Sequence, residues 1–114
     1  FLSGEQIAHK IIAAGPLPDA IFGGNDALAM GIINGFTFNG IDVPGTVSIL
    51  GYDNTSYAES GLIPLTSVSQ TPYQLGATMG RQMVVELSAG DDHVHQHVVF
   101  QPKIIERAST KRRR

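Results

Sequence analysis

The sequence lacks cysteine, and it has no apolar run long enough to span a membrane. Without cysteine there is no disulfide framework, no thiolate nucleophile and no cysteine-ligated zinc site, which fits a reducing compartment. A bilayer-spanning helix needs about 20 apolar residues, so we expect no membrane partner. The opening residues FLSGE contain neither an initiator Met nor a basic region followed by an apolar core, and we expect no signal peptide.

Basic residues are scarce outside the last four positions. Half of the eight lie in Lys111–Arg114, so residues 1–110 contain four bases against ten acids, a net charge of −6. Nucleic-acid affinity depends on clustered Lys and Arg, so we do not expect this acidic body to read DNA itself. We expect residues 1–110 to form one domain and residues 111–114 to be a solvated basic tail.

Catalytic and cofactor motifs are also missing. The turn at residues 23–26 fits neither the dinucleotide fingerprint nor the P-loop, and the serine motif G-x-S-x-G is absent. An enzyme hypothesis would depend on Asp53 or on His93, His95 and His97, which alternate as ligands on one strand face would. Asp53 has no paired acid and the histidines have no fourth ligand at fixed spacing. We therefore expect no enzyme, no metal and no cofactor.

Helical and strand patterns alternate along the chain. Helices are predicted over Ser3–Ala14, from Asp26 to about Asn39, and from Pro72 to about Ala89. Strands are predicted over Asp19–Gly24, Thr46–Gly51, Leu65–Ser69, His93–Phe100 and Lys103–Arg107. The alternation predicts an α/β fold with a mostly parallel sheet covered on both faces. The spacing in the last helix predicts a buried stripe of Leu75, Gly76, Met79, Met83 and Leu87.

The second predicted helix is apolar nearly all round, because no charged residue occurs from Ala27 to Ile41. Such a helix should be buried nearly all round. In a domain this small, that predicts a second covering surface, either another subunit or a part of the protein outside this chain. The alternative is an apolar helix on the surface. Gly31 and Gly35, one turn apart, would permit close approach of another backbone.

Three polar residues follow three predicted strands: Asn25, Asp53 and Gln70. In open α/β sheets, ligands bind beyond the carboxyl ends of the strands. A carboxamide both donates and accepts hydrogen bonds, and a carboxylate accepts from two hydroxyls at once. Together they predict a site for a neutral, hydroxyl-rich ligand. Taken singly, Asn25 has an alternative role as a helix cap, Asp53 as an Asx-turn residue and Gln70 as a solvated strand end.

Six segments carry a likeness to a known family. They are PDAIFGGNDALAMG from Pro18, GIDVP from Gly40, VSILGYDN from Val47, PLTSVSQ from Pro64, YQLG from Tyr73 and IIERAST from Ile104. In combination, these segments resemble the C-terminal part of the effector-binding domain of LacI/GalR-family transcriptional regulators. The resemblance covers the chain from about Gln6 to Thr110.

The resemblance implies a Rossmann-like three-layer sandwich, the C-terminal subdomain of a periplasmic-binding-protein-like fold with its effector in the cleft between two subdomains. It implies that Asn25, Asp53 and Gln70 contact the ligand, with Tyr52 at most a neighbour of the cleft. It also implies a homodimer formed by the helix after Asn25 and the loop after Asp53. The expected contact residues are Ala27, Met30, Gly31, Ile33, Asn34, Tyr57 and Leu62.

The function implied by the resemblance is effector sensing and dimerisation in a bacterial, cytoplasmic transcriptional regulator. A sugar or nucleoside-like effector would favour one closure of the cleft and so control DNA binding. DNA would be bound only through an N-terminal helix-turn-helix, which is absent here together with the N-terminal effector subdomain, so we expect a fragment. The alternative is a sugar-binding periplasmic receptor of a transporter, with the same fold and ligand residues but exported and monomeric.

Overall fold

The computed structural model describes residues 1–89 and 98–112. In chain order the elements are α1 (Leu2–Ala13), β1 (Ala20–Phe22), α2 (Asp26–Phe38), β2 (Ser48–Tyr52), a 3-10 helix (Ser56–Glu59), β3 (Thr66–Ser69), α3 (Pro72–Ala89) and β4 (Lys103–Ile105). The chain divides into two compact units. The first unit comprises Phe1–Ser69 and Ile104–Arg114, and the second comprises Gln70–Lys103.

The strands form one sheet in the order β1-β2-β3-β4. Strand β2 is parallel to β1, with Ile21 opposite Ile49, and parallel to β3, with Gly51 opposite Ser67. The α2 helix connects β1 to β2, as the crossover between parallel strands requires. The predicted α/β fold with a mostly parallel sheet is therefore confirmed.

The hydrophobic core lies between this sheet and α2. Ile49 of β2 and Leu65, which precedes β3, are fully buried, and so is Phe36 of α2. The Ile32 and Ile33 side chains complete the buried side of α2, each 2% exposed. Burying a large aliphatic or aromatic side chain contributes about 1.5–3 kcal/mol, so these contacts fix how α2 lies on the sheet.

The second covering surface of α2 is α1, an element of the same chain. A Cβ atom added at Gly31 would clash with the Phe1 carbonyl oxygen and lie 2.8 Å from the Cα of Gly4. A Cβ added at Gly35 would lie 2.6 Å from the Cβ of Ala8. The close approach predicted for the two glycines is confirmed, and it brings α1 against α2. The inference that α2 needs a surface from outside this chain was wrong.

Two predictions in the second unit have different outcomes, since one lies mostly outside the described residues and the other fails. Residues 90–97 lie outside the described residues, and with them His93, His95 and His97; Val98–Phe100, which are described, form no strand. The predicted stripe of α3 is not buried, because Met79, Met83 and Leu87 are 60%, 58% and 79% exposed. Helical spacing predicts which side chains share a face, but it does not supply the surface that covers them.

Replacing Gly31 with Ala should destabilise the protein by about 1–3 kcal/mol, because the new methyl group must push α1 away from α2. Gly80→Ala is the matched control, since Gly80 is also inside a helix but a Cβ added there would meet no atom within 4 Å. There, alanine should leave stability unchanged or raise it by up to about 1 kcal/mol. Urea unfolding measures both, and equal shifts for the two variants would contradict the close packing at Gly31.

Candidate functional site

Asn25 forms the turn between β1 and α2 and has an extended backbone, with φ −152° and ψ 169°. Its Oδ1 accepts a hydrogen bond from the backbone N–H of Leu28 at 2.8 Å, so the side chain caps α2. The cap uses only the oxygen. The side chain is exposed, and its amide nitrogen has no partner among the described residues. Asn25 therefore offers a hydrogen-bond donor to an incoming ligand while it caps the helix.

Asp53 directly follows β2, and its backbone N–H donates to the carbonyl oxygen of Val68 at 2.9 Å. Its side chain is exposed, and nothing in the described part of the chain bonds to its carboxylate. The backbone is in the left-handed region, with φ 105° at Asp53 and 50° at Asn54. That conformation costs a non-glycine residue about 1–2 kcal/mol. The turn thus holds an unpaired carboxylate at the end of β2, although its backbone conformation is strained.

The strand register places these two residues at the same level of the sheet. Phe22 of β1 pairs with Leu50 of β2, and Asn25 and Asp53 each lie three residues further along their own segments. Both leave the sheet at the carboxyl ends of neighbouring parallel strands, where ligands of such sheets bind. The register therefore places Asn25 and Asp53 after the ends of neighbouring strands, and their joint contact with a ligand stays a prediction.

The other two predicted residues are Gln70 and Tyr52, and the structure places them in different surroundings. Gln70 directly follows β3 but is the first residue of the second unit, and its side chain is exposed. Its contribution to a site with Asn25 and Asp53 stays a prediction. Tyr52 is half-buried and packs its ring on Phe22, with ring centroids 6.4 Å apart. Tyr52 therefore lies one residue from the Asp53 carboxylate, with its ring held by a neighbouring strand.

Asp26 was missed as a site residue, because its position in the first turn of α2 suggested only a favourable interaction with the helix dipole. The side chain is fully buried. Its Oδ2 accepts from the backbone N–H of Thr55 at 2.7 Å and from the Thr55 hydroxyl at 2.8 Å, and its Oδ1 accepts from the Ser67 hydroxyl at 2.6 Å. The Ser67 oxygen accepts from the backbone N–H of Asn54 at 2.9 Å. We call these four residues the Asp26 network.

Arg107 was also missed. Its guanidinium donates to the carbonyl oxygen of Leu65 and to the Oδ1 of Asn54, both at 2.6 Å, and lies 3.9 Å from a carboxylate oxygen of Glu59. It therefore holds both ends of the loop between β2 and β3. Arg107 lies two residues beyond the end of β4, so its role is recognisable only once the loop bonded to it is known.

The chemistry of this edge is that of binding. Within residues 1–89 and 98–112, no three His, Asp or Glu side chains are grouped to hold a metal ion. In the same ranges, no helix combines the length and apolarity needed to cross a bilayer. The exposed groups at the strand ends are an amide donor and a carboxylate acceptor, both of which can hold hydroxyl groups.

The seven predicted dimer residues fall into three classes: buried, half-buried and exposed. Gly31 is covered by α1, Met30 packs its methyl end against Gly61, and Ile33 lies in the core, so these three are buried in their own chain. Ala27 and Asn34 are half-buried. Tyr57 and Leu62 are exposed, by 38% and 61%, in the loop that follows Asp53. Of the seven, only Tyr57 and Leu62 have exposed side chains.

The start of the basic tail is attached to the sheet. The backbone N–H of Lys111 donates to the hydroxyl of Ser48 at 3.2 Å, and the preceding Ser109 is fully buried. A cavity of about 430 Å³ opens beside it and contains none of the predicted ligand residues. It is lined by Glu106, Arg107, Thr110, Lys111 and Arg112. The side chains of Asn25 and Asp53 are exposed and do not line this cavity.

Comparison with known proteins identifies related domains. Residues 2–110 match the family described as periplasmic binding protein-like domain. The regulator DegA of Bacillus subtilis is 38% identical over 112 residues, which are 95% of this chain and 32% of DegA. The chain spans about a third of the length of the curated relatives it matches. These relatives are transcriptional regulators and not enzymes.

Solved structures of LacI-family regulators are also similar to this chain. A dimer of the lac repressor bound to operator and an anti-inducer matches with a TM-score of 0.84 and 28% identity, over 96% of this chain and 37% of the repressor. A LacI-family regulator from Lactobacillus casei with bound sucrose matches with a TM-score of 0.80 and 25% identity, over 94% of this chain and 39% of the regulator. The predicted periplasmic-binding-protein-like fold is thereby confirmed.

Replacing Asp53 with Gly should stabilise the chain by about 1 kcal/mol, because glycine adopts a positive φ without steric cost. Asp19→Gly is the control, since Asp19 is also exposed but has no positive φ. There, glycine should leave stability unchanged or lower it, because it adds only flexibility to the unfolded chain. Thermal unfolding of both variants tests this, and a loss of stability in Asp53→Gly would contradict the strain assigned to the turn.

Proposed function

The chain belongs to the periplasmic binding protein-like domain family as part of a LacI/GalR-type effector-binding domain, and we propose that it senses a small hydroxyl-rich effector such as a sugar. The observation that carries this proposal is the pair of exposed groups on Asn25 and Asp53. An amide donor and an unpaired carboxylate stand at neighbouring strand ends, and a sugar hydroxyl can accept from the first and donate to the second.

The proposed ligand contacts are Asn25, Asp53 and Gln70, with Tyr52 beside them. A carboxylate that accepts from two adjacent hydroxyls selects a polyol over an apolar ligand, because an apolar ligand would leave the charge without partners. The sucrose bound to the Lactobacillus casei regulator supports this class of ligand. The LacI-family fold is compatible with other ligands too, so the choice of a polyol rests on the chemistry of the two exposed groups.

The proposed site is one wall of a cleft. The side chains of Asn25 and Asp53 are exposed, whereas small-molecule sites usually bury most of the ligand. The second wall would come from the rest of the protein, since this chain spans about a third of its relatives. A ligand held between two walls favours their closed arrangement, and that shift would control DNA binding by a separate domain. Such a regulator would act in the cytoplasm.

We propose further that the loop after Asp53 contributes to a homodimer. Tyr57 and Leu62 expose apolar surface there, and Tyr57 packs on Phe1 with ring centroids 5.7 Å apart. The lac repressor that this chain resembles is itself a dimer. The buried residues Met30, Gly31 and Ile33 would support this surface from below, while Ala27 and Asn34 lie at its half-exposed edge.

Asn25 allows a test in which ligand binding and helix capping are separated. Serine keeps the cap but has no amide, so Asn25→Ser should change stability by less than about 0.5 kcal/mol. The loss of one ligand hydrogen bond should weaken binding about tenfold. Asp53→Ala should weaken it more, because its bonds are charge-assisted. Asn25→Ala, which loses cap and amide, should cost about 1 kcal/mol of stability as well.

The measurement is isothermal titration calorimetry of the full-length protein against monosaccharides, disaccharides and nucleosides. Binding of a sugar or nucleoside that is weakened by both Asn25→Ser and Asp53→Ala supports the proposed site. If both variants bind the ligand as the unchanged protein does, the assignment of these residues is wrong. If no polyol binds at all, the proposed ligand class is wrong.

Leu62→Asp should convert a dimer to monomers, because an unpaired carboxylate in an apolar interface costs several kcal/mol. Ile104→Asp is the matched control, since Ile104 is exposed to the same degree (64% against 61%) but lies outside the proposed surface. Ile33 is unsuitable for this test because it is buried in the core. Sedimentation equilibrium distinguishes the species, and a dimer that survives Leu62→Asp would rule out this loop as the interface.

A further inference from the structure

Asp26 carries a buried charge for which the described residues provide no cation. The side chain is fully buried, and no Lys, Arg or His among these residues forms an ion pair with it. A buried carboxylate is costly, and here only hydrogen-bond donors and the N-terminus of α2 compensate it. The donors are the N–H and hydroxyl of Thr55 and the hydroxyl of Ser67, at 2.6–2.8 Å. The cost of burying this carboxylate indicates that Asp26 makes hydrogen bonds that an apolar side chain could not make.

The hydrogen bonds of Asp26 join the two turns that bear the exposed ligand groups. Asp26 directly follows Asn25, and it binds Thr55, which lies two residues after Asp53. The residue between them, Asn54, donates its N–H to Ser67. The backbone N–H groups of Asn54 and Thr55, which follow Asp53, thus both donate to members of the Asp26 network. The left-handed turn at Asp53 and Asn54 is therefore held in place by hydrogen bonds to Asp26, at the start of the helix that Asn25 caps.

The sheet is shaped to admit this carboxylate. At Gly51 of β2, an added Cβ would clash with the Oδ1 of Asp26 and lie 2.7 Å from a methyl group of Leu65. Ser67 on the neighbouring strand is fully buried and donates its hydroxyl to Asp26. A glycine on one strand and a small hydroxyl residue on the next therefore form the space and the donor for one side chain.

The same network reaches the loop proposed for dimerisation. Thr55 is the N-cap residue of the 3-10 helix, and its carbonyl oxygen accepts from the N–H of Ala58 at 3.0 Å. Tyr57 lies within that helix, and Leu62 follows it. At the other end of the loop, Arg107 bridges Asn54 and the carbonyl of Leu65. A movement of the Asp53 turn must therefore change hydrogen bonds at the start of this loop.

We propose that Asp26 is a positioning residue that couples the effector site to the loop 54–63. By this coupling, contact of a polyol with Asn25 or Asp53 alters the stability of the loop and, through it, of the dimer. The proposal rests on the proposed function, because it takes Asn25 and Asp53 as ligand contacts. The coupling itself is a property of the hydrogen bonds and is measurable without an effector.

The test is a double-mutant cycle in the full-length protein, read by hydrogen exchange of the backbone amides of residues 54–60. Thr55→Val removes one hydroxyl donor to Asp26 and keeps the side-chain shape, and exchange at Asn54 and Thr55 should rise about tenfold. Thr55→Ser restores the hydroxyl and should restore the protection. Thr46→Val is the control, since Thr46 is exposed and its hydroxyl has no partner in the described ranges.

Asp53→Gly supplies the perturbation at the ligand turn. With Thr55 present, it should change the exchange of residues 57–60 severalfold, and with Thr55→Val the further change should vanish, because coupled residues are non-additive. Additive effects, or no rescue by Thr55→Ser, would overturn the coupling whether or not any sugar binds. Non-additive effects together with a failure of every polyol to bind would support the coupling and overturn the proposed ligand class.

Discussion

Parallel pairing of β2 with both β1 and β3 is the constraint on which the site depends. Parallel strands all end at the same edge of the sheet, so the turns that follow them are brought side by side. The pairs Phe22–Leu50 and Tyr52–Val68 fix the levels at which these turns begin. Polar backbone groups that leave a sheet at one edge need partners. The carboxylate of Asp26 and the hydroxyl of Ser67 accept from the N–H groups of Thr55 and Asn54 in the second turn, while Asn25 caps α2.

The packing of α1 on α2 changes what the apolar character of α2 means. A helix without charge over Ala27–Ile41 suggested a surface covered by another molecule, yet Gly31 and Gly35 admit α1 so closely that this chain covers most of it. The hydrophobic requirement of α2 is then met without a second subunit. The argument for a dimer consequently moves from the helix to the loop, where Tyr57 and Leu62 expose apolar surface that α1 does not reach.

The sequence predicted the elements well because hydrophobic periodicity and caps are local. Helix α2 begins at Asp26 after an Asn25 cap, and α3 begins at Pro72, as expected. It did not predict that α1 covers α2, since periodicity defines an apolar face without naming its neighbour. The exposed stripe of α3 fails for the same reason.

The candidate site was predicted in part. Asn25 and Asp53 were found because strand ends can be located from sequence, whereas the partners of Asp26 lie 29 and 41 residues away. One signal was present, because a buried strand that contains Ser67 must satisfy its hydroxyl. That signal indicates that a partner exists. Only the strand register shows that the partner is Asp26.

Two energetically unfavourable features lie at the same edge of the sheet. Asp53 occupies a strained backbone conformation, and Asp26 buries its carboxylate without a cation from the described residues. Glycine in place of Asp53 would adopt the same turn without the steric cost of a positive φ. Strain that the surrounding structure maintains is typical of functional positions.

Here the buried charge holds the strained turn, so an exposed carboxylate is oriented before any ligand arrives. A ligand then has less ordering to do when it binds. Under the proposed function, this arrangement would preorganise Asp53 for binding.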